Sequence, residues 1–233
     1  MNVAIVVAGG KGIRFGADRP KQFVQLNGTP VIVHTLRRFA QSNQIDQIVI
    51  VLPAADVPDF QNILDKFAVQ KVAGVIAGGD TRAQSVKNGL AAIQNATVVA
   101  VHDAVRPLVT RDEIDRVVMV AAESGAAILV APVSDTIKEV ASEQVVKTVP
   151  RVQLRRALTP QAFHFQILKA AYDGLDQLEA SGVEVTDDSF LVERLGVAVT
   201  VVEGSARNIK ITSPEDLVVA SAILSREAEG SSG

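Results

Sequence analysis

The chain has 233 residues, 48% of them hydrophobic and 21% charged, with a formal net charge of −3 and no cysteine. That length and apolar share suit one sizeable α/β domain with a filled core rather than two domains. A slightly acidic chain with no Trp and only 4% aromatics argues against a general nucleic-acid surface, and the lack of cysteine excludes disulfides, thiolate metal sites and a cysteine nucleophile.

Val3 to Val7 form a short apolar run that predicts a central parallel strand, buried on both faces. It leads into AGGKGIRFG (8–16), with four glycines and two cations in nine residues. Glycines at a strand's carboxyl end let backbone N–H groups approach an anion closely, so a phosphate is the expected guest. A Walker A loop does not fit, because Lys11 is followed by Gly12 where Ser or Thr is needed. A dinucleotide fingerprint starting at Gly10 and Gly12 meets Phe15 in place of its third glycine. What remains is G-G-x-G-x-R with Lys11 and Arg14, followed by a second cationic element, Arg19-Pro20-Lys21-Gln22. Alone, the loop also fits a glycine-rich turn with solvated cations.

Strands and helices then alternate. Ile32, Leu36, Phe39 and Ala40 fall at helical spacing, DQIVIVLP (46–53) reads as a buried strand, and Phe60, Ile63, Leu64 and Phe67 stripe a second helix. A strand ending in Gly78-Gly79-Asp80 precedes a helix from Thr81 that carries Val86, Leu90 and Ile93. VVAVHDAVRP (98–107) is a strand breaking into a loop, Thr110 with Glu113 makes a capping box, and AAILVAPV (126–133) is the next strand. TIKEV (136–140) and VVKTV (145–149) predict a hairpin around a four-residue ASEQ turn. A helix around 165–180, a short one near 187–195, strands at 197–204 and 208–212, and a last helix opened by Ser213-Pro214 complete the pattern. The fold expected is α/β, a doubly wound, mostly parallel sheet of Rossmann-like type, with a protruding β-hairpin arm at about 134–151. Residues 1–224 form the single domain and 225–233 a disordered tail. No stretch reaches membrane-spanning length and the first apolar run is too short for a signal peptide, so a soluble cytoplasmic protein is expected.

The suspicious residues all end strands, where a doubly wound sheet keeps its site: Gly9–Arg14, Gly78-Gly79-Asp80, Asp103 with Arg106, and Pro132–Thr136. His34 and His164 read as helix-surface residues and His102 as structural. No metal-binding histidine pair and no G-x-S-x-G elbow occurs. The remaining candidates are cations: Arg14, Lys21, Arg82, Arg106, Arg151 and Lys210. Singly, the lysines read as solvated and Arg82 and Arg106 as cap or surface residues. Together, cations without a base suit phosphoryl-type transfer to a nucleophile that is already an anion, where positioning and charge neutralisation supply the catalysis.

Eight ordered blocks carry a resemblance: AGGKGIRFG, PKQF (20–23), AGGDTRAQSV (77–86), HDAVRP (102–107), APVSDTIKEV (131–140), ALTPQAF (157–163), VTDDSFLVERLG (185–196) and NIKITSPEDL (208–217). Over about residues 2–224 the chain resembles the 2-C-methyl-D-erythritol 4-phosphate cytidylyltransferases of isoprenoid precursor synthesis. The resemblance implies cytidylyl transfer from CTP to that polyol phosphate, releasing pyrophosphate. The glycine loop, with Gly10 and Gly12, and PKQ would hold the triphosphate, with Arg14 and Lys21 on the α-phosphate. Backbone at Ala8 and Gly9, with Gly79, Asp80 and Ser85, would hold cytosine and ribose. Asp103, Arg106, Thr136, Arg151, Thr159, Thr186 and Lys210 would line the acceptor site, Arg151 and Lys210 aiming its phosphate. It also implies Mg²⁺ held mainly by CTP phosphates rather than by protein ligands, and a homodimer with interlocking arms. A-G-G-K-G and HDAVRP depart from the family's usual A-A-G-x-G and HDAARP and also resemble ribitol 5-phosphate cytidylyltransferases, whereas VSDTIKEV and TVPR match the methylerythritol branch better. A nucleotide-binding regulatory domain is the non-enzyme alternative.

Overall fold

The structure, a computed structural model, describes residues 1–8 and 20–230. Its elements in chain order are β1 (Asn2–Val7), β2 (Gln25–Leu26), β3 (Thr29–Pro30), α1 (Val31–Gln41), β4 (Gln47–Leu52), α2 (Val57–Phe67), β5 (Val72–Ala77), α3 (Arg82–Ala91) and β6 (Val98–Asp103). There follow α4 (Arg111–Ser124), β7 (Ala126–Pro132), β8 (Ile137–Ala141), β9 (Gln144–Val149), β10 (Arg155–His164), α5 (Phe165–Asp173), α6 (Leu175–Ala180), α7 (Asp188–Glu193), β11 (Thr200–Glu203) and α8 (Pro214–Gly230).

The main sheet has seven strands in the order β11-β7-β10-β6-β1-β4-β5. β10 pairs antiparallel with both β6 and β7, and the other strands run parallel to one another. Helices cover both faces, which explains the unbroken apolar run of β1. Ala4 and Val6 pack with Ile32, Leu36 and Phe60 on one side, while Val3, Ile5 and Val7 pack with Val86, Leu90 and Leu168 on the other. At Gly89, α3 lies so close to the sheet that a β-carbon would sit 2.9 Å from Ile5 Cγ2. That approach fixes the first turn of α3 above the carboxyl ends of β1 and β5.

The expected α/β sheet is present, with differences of detail. The ALTPQAF segment lies in a full strand, β10. Its helix-like mixture of Ala, Leu and Gln gave no period-2 signal, but its place between two apolar strands overrides propensity. NIKIT (208–212) forms no strand: Ile211 N–H bonds to Val105 C=O at 2.8 Å and Asn208 C=O accepts from Arg106, so single contacts replace a ladder. The expected disordered end is helical through Gly230, because Arg, Glu and Ala prolong α8 and Arg38 pairs with Glu227.

Among the described residues β8 and β9 pair only with each other, in a two-stranded antiparallel sheet. The turn is shorter than the ASEQ reading: Ala141 faces Gln144, and Ser142 and Glu143 both take positive φ, 47° and 64°. That two-residue geometry matches the right-handed twist of the strands. Val140, Val145 and Val146 are exposed at 57%, 62% and 56%.

Candidate active site

Six parallel strands deliver their carboxyl ends to one edge, and antiparallel β10 brings its first residues to the same edge, Arg155 facing Pro132. Two features meet there. The first is a cleft of about 850 Å³ lined by Pro20, Pro53, Gly78, Gly79, Asp80 and Gln84, among others, within the size range of small-molecule sites. Gly79 and Asp80 are exposed in it. Gly79 N–H donates to Ser85 Oγ at 3.2 Å, Ser85 donates to Thr81 C=O at 2.9 Å, and Asp80 N–H donates to Gln84 Oε1 at 3.1 Å. Ser85 is fully buried, so its hydroxyl shapes the loop from behind. A β-carbon on Gly79 would fall 2.5 Å from Gln84 Cβ, which is why this turn takes glycine. Ala8 closes β1 with its N–H on Val51 C=O at 2.8 Å.

The second feature is a cluster of cations around Asp103. Arg82 Nε donates to Oδ1 at 3.0 Å, while Arg106 Nε and Lys210 Nζ reach Oδ2 at 3.3 and 3.1 Å. Burial alone would raise the Asp103 carboxyl, but the charges of Arg82, Lys210 and Arg106 hold it well below the usual carboxylate range. Arg106 is lowered too, but by its surroundings' cost to the cation: burial lowers it most, Asp103 opposes, and the like charges of Arg82 and Arg156 add to the fall. Crowded cations sharing one carboxylate make a receptive place for a further anion.

Thr159 stands beside Asp103 because β10 pairs with β6, Gln161 facing Val101. Its hydroxyl accepts Asp103 N–H at 3.2 Å and lies 2.9 Å from His102 Nδ1. His102 Nε2 is 3.2 Å from Arg106 C=O, an acceptor only, so Nε2 carries the proton and Nδ1 accepts from Thr159. His102 is therefore structural, as read, and its ring packs 4.8 Å from Phe39. His34 is half-buried rather than a free surface residue, with Nε2 2.8 Å from Leu26 C=O.

Burial brings the His102 imidazole down to about 3, whereas an unfolded histidine titrates near 6.5. Between those values the unfolded chain binds more protons, so this contribution to stability is complete above about pH 6.5 and is lost as pH falls. From pH 7 to 5 the loss is about 2 kcal/mol. The difference between wild-type and His102→Asn urea midpoints should therefore shrink over that range. A difference independent of pH would contradict the assignment.

Lys21 opens a short 3-10 turn, Lys21–Phe23, beside cleft residue Pro20. Thr186 is exposed just before α7, next to Asp187, whose side chain caps Phe190 N–H at 2.9 Å. Thr136 and Arg151 are exposed at the foot of the β8–β9 hairpin, where Arg151 donates to Ser134 C=O of its own chain. Among the described residues no hydrogen bond or ion pair joins either to the Asp103 cluster. Gly9, Gly10, Gly12 and Arg14 lie outside the described residues. Among the described residues no group of three His, Asp or Glu side chains is placed to hold a metal ion, and no helix is long and apolar enough to cross a membrane.

Arg82 is the main residue that sequence reasoning undervalued, as a cap or surface side chain. It bridges Asp103 and Asp188, and Asp188 also accepts from Tyr172 Oη at 2.5 Å. These partners lie 21 and 106 positions away, so no local spacing announces them. Arg156 and Asn208, whose side chain bonds to Thr159 C=O at 2.8 Å, were also not singled out for the site.

A doubly wound α/β domain with a ligand-sized cleft and a cation cluster on one sheet edge defines a phosphate-handling enzyme of the nucleotidyltransferase type. The family profile of IspD, 2-C-methyl-D-erythritol 4-phosphate cytidylyltransferase, matches residues 2–226, and the chain belongs to that family. It is 45% identical over 228 residues to the enzyme of that name from Syntrophus aciditrophicus, covering 97% of this chain and 96% of the relative. Its counterpart in Bacillus velezensis is 42% identical, with 97% of each chain covered. Among solved structures, the 4-diphosphocytidyl-2C-methyl-D-erythritol synthase of Anaerococcus prevotii superposes with a TM-score of 0.83 at 30% identity, covering 96% of both chains. The Thermus thermophilus cytidylyltransferase superposes at 0.77 with 33% identity, covering 96% of this chain and 99% of that one.

Proposed function

We propose that this chain transfers the cytidylyl group of CTP to 2-C-methyl-D-erythritol 4-phosphate, giving 4-diphosphocytidyl-2-C-methyl-D-erythritol and pyrophosphate. The observation that carries this reading is the Asp103 cluster. Arg82, Arg106 and Lys210 share one carboxylate next to a loop that also lines the cleft, so an anionic acceptor and a nucleotide would meet there. An oxygen of the acceptor phosphate forms the new bond to the α-phosphorus, and the bond to the β-phosphate bridging oxygen breaks. The monoester is largely dianionic at neutral pH, so no general base is required.

In this assignment the backbone of Ala8 and Gly9, with Gly79, Asp80 and Ser85, holds cytidine, and Gly10 and Gly12 cradle the triphosphate. Arg14 and Lys21 neutralise charge on the α-phosphate. Asp103, Arg106, Thr136, Thr159 and Thr186 form the acceptor site, with Lys210 and Arg151 directing its phosphate. A divalent metal accompanies the nucleotide, and Mg²⁺ suits triphosphate oxygens and water. Asp103 is poorly suited as its ligand, since both carboxylate oxygens already accept from cations. The enzyme works in the cytoplasm as a homodimer.

The test is a matrix of CTP, UTP and GTP against methylerythritol phosphate and ribitol 5-phosphate, read by pyrophosphate release. Release should be fastest with CTP and the methylerythritol ester. Preference for ribitol phosphate would favour the sister activity, and preference for UTP or GTP would overturn both. CTP binding without release would favour a regulatory domain.

A further inference from the structure

Arg82 is the first residue of α3 and reaches away from the nucleotide loop into the acceptor side. Its Nε donates to Asp103 Oδ1 at 3.0 Å and its terminal amine donates to Asp188 Oδ2 at 2.8 Å. Asp188 is fully buried and its other oxygen accepts from Tyr172 Oη at 2.5 Å. Asp103 thereby gives one oxygen to Arg82 and keeps the other for Arg106 at 3.3 Å and Lys210 at 3.1 Å. We propose that Arg82 is a positioning residue for the acceptor phosphate, tying Asp103 to the buried start of α7 so that Asp103 presents Lys210 and Arg106 in one geometry.

Two observations set this apart from a simple clamp. A guanidinium offers several donors in a rigid fork, whereas an ammonium is a single point charge, so lysine in this place would not reproduce the bridge. The nucleotide loop has its own fastenings. Thr81 caps Gln84 N–H at 3.0 Å, and Glu179 accepts from Thr81 Oγ1 at 2.8 Å and from Gln84 Nε2 at 2.7 Å. Lys87 pairs with Asp176 at 2.7 Å. Loss of the Arg82 bridge should therefore disturb the acceptor and leave the CTP cleft in place. Asp188 follows Thr186 and Asp187 directly, so the bridge also fixes the entry to α7, where Thr186 stands.

This inference rests on the cytidylyl-transfer reading, and the experiment separates the two. Arg82→Lys and Asp188→Asn are compared with wild type by calorimetric CTP binding, urea unfolding and steady-state kinetics in each substrate. Arg82→Lys should lower kcat/KM for methylerythritol phosphate by about 10²-fold, the scale of a misplacement near 1 Å, with the CTP Kd within threefold. Asp188→Asn, which keeps the shape but not the charge, should show the same acceptor-selective loss at about tenfold, and it carries the test if Arg82→Lys does not fold. Wild-type acceptor kinetics in a folded variant, or equal losses for CTP and acceptor, would overturn the proposal alone. A wild type that transfers nothing to the acceptor would overturn both.

Discussion

Lys21→Ala should lower kcat by about 10²- to 10³-fold while moving KM for CTP much less, the scale seen when one preorganised transition-state donor is removed. The role proposed for Lys21 draws on the turn that carries it. The turn it opens is pinned by Phe23 N–H on Pro20 C=O at 2.9 Å, by buried Gln22, and by Phe23 against Phe60 with ring centroids 6.0 Å apart. A cation on such a base gives up little freedom when the α-phosphorus gains charge, which favours the transition state over the ground state. Steady-state kinetics with CTP varied at saturating acceptor decides it. A variant with unchanged kcat and raised KM would make Lys21 a ground-state binder.

Arg151→Ala should be nearly inactive by itself, yet mixing it with inactive Lys21→Ala protein should restore about a quarter of wild-type activity once subunits exchange. Random exchange makes half the dimers mixed, and each mixed dimer rebuilds one intact site of two if Arg151 serves the neighbour's site. The hairpin supplies the reason to expect this. A lone two-stranded sheet is marginal in water, and Val140, Val145 and Val146 are more than half exposed on a single chain. A second subunit would cover them and bring Arg151, whose side chain donates to the Ser134 carbonyl of its own chain, to a second Asp103 cluster. Activity that stays at the single-variant level after verified exchange would place Arg151 in cis.

Where the sequence was legible, the signal was local. The two-sided burial of β1, the Thr110–Glu113 capping box and the apolar stripes of α1 and α2 all follow from periodicity over a few residues, and the structure keeps them. Asp103, Arg106 and Lys210 stand out as charged residues at strand ends or in family blocks, and the two cations converge on the Asp103 carboxylate. What stayed hidden depends on distant pairing. β10 runs antiparallel because it fills the slot between β6 and β7, and that slot cannot be read from ALTPQAF. Arg82 looked like a helix-cap cation because its meaning lies in Asp188, which only the packing of α7 brings near. The end of α8 is hard to read because polar composition signals disorder, whereas Arg, Glu and Ala also sustain a helix, here through Gly230.

Phosphorus NMR of the purified protein with CTP, methylerythritol phosphate and Mg²⁺ tests the central claim most directly. The expected spectrum loses the triphosphate and monoester resonances together and gains pyrophosphate with a pair of mutually coupled diphosphate signals, one phosphorus from each substrate. Intact CTP beside an unchanged monoester, or CTP hydrolysed to CMP with the monoester untouched, would contradict it.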